Sequence, residues 1–212
     1  MIIALFLLGS CGLKIHLPKT EYFEGIIESK NTFINKTNVF DSLLISTLAG
    51  KGSRMYVKGG DFLAFSYGAK PKRMLYKNDE NRIYSEEMFN DSLYWADGGW
   101  PAQKILNFYK TPKVEKILGI ECDKLTVQYE YRTTRYYYNS DTLKVDPSLR
   151  SKYTYYNENF LNEQMKCIPI KTEIEYKDFV LIQTAVSIKS TKLSNDIFKV
   201  PKKILVQETY RD

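Results

Sequence analysis

Apolar and polar residues alternate along most of this chain with the two-residue period of a half-buried strand, and turn-forming residues punctuate the alternation. The period is clearest from Arg54. Arg54-Met55-Tyr56-Val57-Lys58 runs into Gly59-Gly60-Asp61, a hairpin signal, and Phe62-Leu63-Ala64-Phe65-Ser66-Tyr67 returns. Residues 68–71 make the next turn, 73–77 another strand, 78–81 a polar turn and 82–85 a further strand, which together predict an antiparallel meander. Upstream, Tyr22-Phe23-Glu24-Gly25-Ile26-Ile27-Glu28-Ser29 reads as the first strand. The stretch 39–48 fits a helix face through Leu43, Leu44 and Leu48 as well as a strand.

The rhythm breaks over 86–112, where Trp95 and Trp100 flank Asp97-Gly98-Gly99 and a short helix is predicted over 102–109. Alternation resumes at 113–118, turns at Gly119 and continues as a long run over 120–139. Residues 140–165 read as a loop or lid with a helical piece over 158–165. Strands over 168–176 and 180–193 and a last one around 196–201 close the chain. The pattern predicts a mainly β fold: a single strongly curved antiparallel sheet, a half-barrel, with a few short helices or loops covering its concave face.

Composition sharpens this reading. Seventeen tyrosines and 11 phenylalanines suit a pleated, half-buried surface better than a helical bundle. The formal charge of +6 is spread through stretches that alternate with Asp and Glu. That is the pattern of a solvated sheet face, with weak attraction to anionic headgroups as the sharper alternative. Without a basic cluster, nucleic acid is not an expected partner.

Residues 1–8 are almost wholly apolar, too short to span a bilayer and of the length of a signal-peptide core. They lead into Leu8-Gly9-Ser10-Cys11, which resembles the lipobox of bacterial lipoproteins, although no Lys or Arg precedes Cys11. The resemblance implies a signal peptide over 1–10, lipid attachment at Cys11, a tether over 11–20 and one domain over 21–212. Two or three acyl chains, at ~0.8 kcal/mol per buried CH₂, anchor a protein without a transmembrane helix. The other reading of the run is an apolar N-terminal strand with a buried cysteine. Export leaves Cys122 and Cys167 as a natural disulfide pair, worth ~4–5 kcal/mol for a loop of that length; the alternative is two unpaired buried thiols.

Several short pieces carry a wider resemblance: Phe23-Glu24-Gly25-Ile26-Ile27, Arg54-Met55-Tyr56-Val57-Lys58, Lys116-Ile117-Leu118-Gly119-Ile120-Glu121-Cys122, Ile168-Pro169-Ile170-Lys171-Thr172-Glu173 and Phe198-Lys199-Val200-Pro201. Their order resembles the envelope lipoproteins of Bacteroidetes related to the domain-of-unknown-function 4412 family and, more distantly, the outer-membrane lipoprotein-sorting (LolA/LolB-like) superfamily. That resemblance implies a half-barrel whose apolar cavity holds lipid or lipoprotein acyl chains. It also implies outer-membrane anchoring facing the periplasm, since the acidic cluster associated with surface export does not follow Cys11.

The residues themselves offer little catalysis. The single histidine, His16, lies in the tether, and no CxxC or other metal-ligand spacing occurs, so neither a cofactor nor a metal is expected. Glu86-Glu87 and Asp79-Glu80 are read as turn acids. Trp95 and Trp100 are candidates for an aromatic contact surface. Tyr136, with Arg132 and Arg135, is the candidate lining of a pocket for an anionic headgroup; the plainer reading is a strand pair with wet hydroxyls. The sequence therefore predicts a non-enzymatic protein binding an apolar ligand, or else a structural or protein-interaction component of the envelope whose cavity is filled by its own side chains. An envelope hydrolase ranks last.

Overall fold

The computed structural model describes residues 22–37, 39, 41, 47, 50–68, 72–87 and 91–208. Cys11, the signal and tether segments and most of 39–48 lie outside them. Twelve strands form one curved sheet: β1 (Gly25–Asn35), β2 (Gly52–Lys58), β3 (Asp61–Tyr67), β4 (Lys72–Lys77), β5 (Arg82–Glu87), β6 (Ser92–Asp97), β7 (Ile105–Ile117), β8 (Ile120–Tyr129), β9 (Thr133–Tyr138), β10 (Lys171–Glu175), β11 (Phe179–Ser190) and β12 (Ile204–Gln207). Their order is β12-β6-β5-β4-β3-β2-β1-β11-β10-β9-β8-β7, so the sheet stays open, with β12 and β7 as its edges. All pairings are antiparallel except β12 on β6. The mainly β, half-barrel expectation is the observed fold.

Two meanders, β2 to β6 and β7 to β11, meet on β1. It pairs with β2 on one side and with β11 on the other, from Gly25 opposite Ser190 to Asn35 opposite Phe179. A bulge sits where Glu28 faces Ser187 and Ser29 faces Ala185, leaving Val186 as the extra residue. Gly25 lets β11 come close: a Cβ there would lie 2.2 Å from the Lys189 carbonyl oxygen. The β7–β8 hairpin turns on Leu118 (φ 50°) and Gly119 (φ 80°), the two left-handed residues of a type I′ turn.

Neighbouring residues on β3 to β5 enter opposite cores. Phe62, Tyr76 and Ile83 join Phe23, Ile27 and Val57 under the segment that carries Leu143, Val145 and Tyr153. Leu63, Leu75 and Tyr84 pack with Leu93 against Leu193 and Phe198 from the C-terminal segment. Burial on both faces explains why adjacent apolar residues such as Phe62-Leu63 and Leu75-Tyr76 interrupt the alternation of these strands. A third core sets Leu125, Val127, Tyr129 and Tyr138 against Leu161 and Met165 of the helix α1 (Glu158–Met165).

Five expectations are corrected. Residues 102–109 are not helical: from Ile105 the aromatic and branched residues pair with β8, and cross-strand packing overrides any local helical tendency. Trp95 lies on a regular strand, β6, so the meander continues through 92–97. The run 120–139 is two strands with a turn between them. The last strand is not 196–201: Asn195–Phe198 is a 3-10 turn whose Ser194 hydroxyl accepts from the Asp196 N–H at 3.2 Å, and β12 follows it. Glu86, read as a turn acid, stands on β5, where Arg73 (3.6 Å) and Lys203 (2.6 Å) pair with it.

The Tyr153 ring stacks on Tyr76 at 4.2 Å and 13°, and Tyr76 stacks in turn on Phe62 at 5.6 Å. Truncating Tyr153 to alanine empties the middle of the largest core. The expected cost in urea-induced unfolding is about 3–5 kcal/mol. Tyr131→Ala, on an exposed ring, is expected to stay within ~0.5 kcal/mol of the parent.

Candidate functional site

The segment between β9 and β10 is the longer of two parts of the chain that lie over the sheet instead of in it, the other carrying Leu193 and Phe198. Its start is tied down by Phe23 N–H donating to the Lys144 carbonyl at 2.7 Å. The Asp146 carboxylate then accepts from Ser148 N–H at 2.9 Å and starts the 3-10 turn Pro147–Arg150. Tyr156 (φ 57°) and Asn157 (φ 63°) take left-handed conformations, a pair that non-glycine residues adopt at a cost. Asn157 holds this bend by bonding both backbone groups of Gln103, accepting at 3.1 Å and donating at 2.9 Å. Thr154 and Tyr155 N–H groups both donate to the Gly98 carbonyl.

This segment buries the Arg150 guanidinium beneath itself and sets Glu158 within reach of its charge. Arg150 is 6 % exposed; its Nε donates to the Gly60 carbonyl at 3.1 Å, and its guanidinium lies 5.2 Å from the Phe62 ring. One Arg150 Nη is buried without a hydrogen-bond partner. Loss of water pushes the Glu158 carboxyl above the ordinary range, with the Arg150 charge opposing. Burial likewise pushes Tyr76 up to about 12 and raises Tyr129, Tyr136 and Tyr153. Strongly shifted groups mark a functional site when a ligand can reach them. These are built into the packed core: Tyr76 donates to Asn81 Oδ1 at 2.9 Å, and Asn81 to the Lys152 carbonyl at 3.1 Å. Sequence reading passed over Arg150 and Glu158 because they lie in a stretch without periodicity. A lone arginine among aromatic residues was the available signal.

Of the predicted site residues only Arg132 and Tyr136 come together, both at Tyr129. Trp95 packs in the core beneath the C-terminal segment, with the Arg82 guanidinium 4.3 Å above its ring. Trp100 lies past the Gly98-Gly99 turn, edge-on to Tyr155 at 5.4 Å, and its carbonyl accepts from the Thr154 hydroxyl at 2.7 Å. The two tryptophans therefore form no shared surface. On β9, Tyr136 packs against the core beneath α1, whereas Arg135 pairs with Glu175 at 2.7 Å and Glu173 at 3.9 Å. Arg132 covers the Tyr129 ring at 4.8 Å. Cys122 and Cys167 are free, buried thiols rather than a disulfide. Each is packed into a different core, Cys122 with Ile117 and Tyr137, Cys167 with Leu161 and Met165. The Cys122 thiol donates to the Ile120 carbonyl at 3.4 Å, and burial pushes Cys167 up to about 12.

Two open clefts mark the surface. One, of about 440 Å³, lies where the β7–β8 hairpin tip approaches β11 and β1; Lys30, Lys116 and Lys171 surround Ile117, Leu118 and Val186. Lys171 is already engaged by Glu115 at 2.8 Å and Glu173 at 2.9 Å. The other, of about 400 Å³, joins the β2–β3 and β4–β5 turns to the C-terminal segment, with Lys77 bonded to Asp61 inside it. Among the described residues no cluster of His, Cys, Asp and Glu could hold a metal ion, and no helix is long and apolar enough to cross a membrane.

No family model matches the chain, and no curated protein matches it. Among solved structures the fold is similar to that of PNGF-II in two crystal forms. In the C2 form the TM-score is 0.53 at 16 % identity, over 88 % of this chain and 31 % of that one. In the P21 form it is 0.51 at 13 % identity, over 87 % and 32 %. The chain thus spans about a third of the length of those structures, and the likeness is one of fold.

Glu158 sets a pH dependence of stability. Its folded carboxyl holds a proton more tightly than the unfolded one, so folding takes up a proton as pH rises past the ordinary value of 4.5. Stability contributed there falls with rising pH until the folded group has also ionised. Comparing urea midpoints of the parent and Glu158→Gln across that window is expected to show this decline in the parent and its absence in the variant.

Proposed function

We propose that the protein is a non-enzymatic, lipid-anchored component of the outer membrane, facing the periplasm, that acts by contact with other macromolecules. It does not house an acyl chain in this reading. The observation that carries it is the filling of the curved sheet. Tyr153, Leu143 and Val145 occupy one face against Phe62 and Tyr76, α1 occupies it further along, and the C-terminal segment occupies the other face. A carrier of acyl chains needs a contiguous apolar cavity. The two clefts described above are open and rimmed by charge. The non-enzymatic part rests on the sequence, whose only histidine, His16, precedes the domain. Anchoring rests on the lipobox-like Leu8-Gly9-Ser10-Cys11.

The carrier reading retains one observation in its favour: the cleft beside the hairpin tip combines lysines with Ile117, Leu118 and Val186, as an anionic amphiphile would require. Native mass spectrometry of the Cys11→Ala chain, exported and purified without detergent, separates the two. A clean apo mass that persists after incubation with membrane extract is the expected result; a discrete lipid adduct would return the carrier reading. Metabolic labelling with a radioactive fatty acid in the host is expected to mark the parent and to leave Cys11→Ala unmarked. Label retained on the variant would remove the anchor assignment.

A further inference from the structure

Four buried polar atoms near α1 have no hydrogen-bond partner: the Tyr129 hydroxyl, Arg132 Nε, the Thr134 hydroxyl and Asn162 Nδ2. Tyr129 is 7 % exposed, Thr134 2 % and Asn162 4 %, so bulk solvent does not serve them. Buried polar atoms are ordinarily paired, and one orphan is already costly. Four in one place require a partner from outside the chain.

The register puts them in one place. Val127 opposes Thr134 and Leu125 opposes Tyr136, while the Tyr129 N–H donates to the Arg132 carbonyl at 2.9 Å across the turn. Directly opposed residues share a face, so Tyr129, Arg132, Thr134 and Tyr136 all stand on the face of Leu125 and Val127, which α1 covers. Along β9 that face reads long, short, long, and Thr134 leaves a hollow between Arg132 and Tyr136. Apolar Val127 and Ile174 flank it on the neighbouring strands. Arg132 folds back over the Tyr129 ring at 4.8 Å. Tyr136 and Arg132 both act on the ionisation of the Tyr129 hydroxyl, yet that hydroxyl bonds to neither. Polar groups so placed are joined through a third partner between them. Asn162 closes the hollow from above. It lies with Leu161 and Met165 on the buried face of α1, and those two join the core of Tyr129 and Tyr138.

The chemistry of the atoms selects the guest. Arg132 Nε and Asn162 Nδ2 can only donate, and the two hydroxyls can donate as well. Among the described residues no carboxylate pairs with Arg132. The nearby Glu158 is answered by Arg150. A water molecule would accept from two of these donors and leave the guanidinium charge unanswered. We propose that the hollow is a halide site, in which chloride accepts from Tyr129, Arg132, Thr134 and Asn162 and ties α1 to the β8–β9 hairpin. Hydrogen bonds from a guanidinium to an anion are charge-assisted, and guanidinium is itself weakly hydrated, which suits a weakly hydrated anion. Arg132 is only half-buried, so the ion enters past its side chain.

The test uses the full chain carrying Cys11→Ala at fixed pH and ionic strength, with sodium gluconate exchanged stepwise for sodium chloride. Gluconate is too large for the hollow. The urea midpoint is expected to rise with chloride and to level off as the site fills, as linkage requires. Thr134→Val keeps the shape of the side chain and Tyr129→Phe keeps the ring under Arg132; each removes one donor. Each is expected to raise the chloride concentration at half-effect about tenfold, and Arg132→Gln to abolish the response. Crystals grown in bromide are expected to show anomalous density among the four atoms. A midpoint indifferent to chloride, a response unchanged in both Thr134→Val and Tyr129→Phe, or ordered water in place of bromide would each overturn the site. Thr134→Val and Tyr129→Phe are mild changes, so the response is read even if Arg132→Gln perturbs the hairpin.

Discussion

Everything in this fold hangs on the ladder between β1 and β11. Each meander is built mainly of local hairpins, the exception being β9 and β10, which pair across the segment 139–170. The two sets become one sheet only because β1, at the start of the domain, bonds along its whole length to a strand some 150 residues later. Such pairing carries a large loop-closure cost before any contact rewards it. The interface is accordingly reinforced at its ends. Glu24 accepts from the Leu193 N–H at 2.6 Å, and Lys36 donates to Glu175 and to the Tyr176 carbonyl, both at 3.0 Å. The bulge at Val186 lets Ala185 and Ile188 both enter the core across a register shift, and bulges add twist to a strand.

A sheet this long has more apolar face than hairpins can hide, and the chain covers it with two irregular segments. That choice explains the unusual chemistry of the interior. Irregular backbone brings polar groups with it, and those groups must be bonded or shielded. Asn157, Asn81 and Thr154 satisfy the backbone of the turns they touch. Arg150 and Glu158 offset each other's charge within a ring of tyrosines. The perturbed groups are therefore a consequence of filling the half-barrel, and their shifts mark packing. A site for chemistry would have required the same groups at the wall of a cleft.

The alternation from Arg54 to Ser85 was legible because hairpin turns separate strands at short range, and Gly59-Gly60 and the 78–81 turn stand where the sequence places them. What was not legible depends on distant partners. Nothing local tells that Ile105-Leu106-Asn107-Phe108 pairs with 127–129 rather than coiling, since its apolar spacing fits both periods. Phe198 reads as the end of a strand, yet its burial comes from a capped turn set against β3 to β6. The candidate site fared worse for the same reason. Arg135 is a sequence neighbour of Tyr136 but lies on the opposite side of the strand, with Glu175, whereas Arg150 meets Phe62 and Gly60 across some 90 residues. Alternation tells which residues share a face and is silent on what covers it.

Openness has its own logic. A barrel would remove both edges at once, but closure would need β7 to reach β12 across a face already occupied by Tyr153, α1 and their neighbours. The fold instead treats its edges separately. β12 is short and parallel to β6, pinned by Glu208 N–H donating to the Trp95 carbonyl at 2.8 Å. β7 is broken on both sides of the regular stretch Asn107 to Thr111: the register shifts between Ile105 and Asn107, and beyond Thr111 it shifts again around Pro112 and the Lys113 N–H, which donates to Asp123 Oδ1 at 3.0 Å. Irregularity on both sides confines the exposed rings of Phe108 and Tyr109 to one short regular stretch. A short regular stretch offers less of a template for open-ended edge pairing than an unbroken strand of the same 13 residues would.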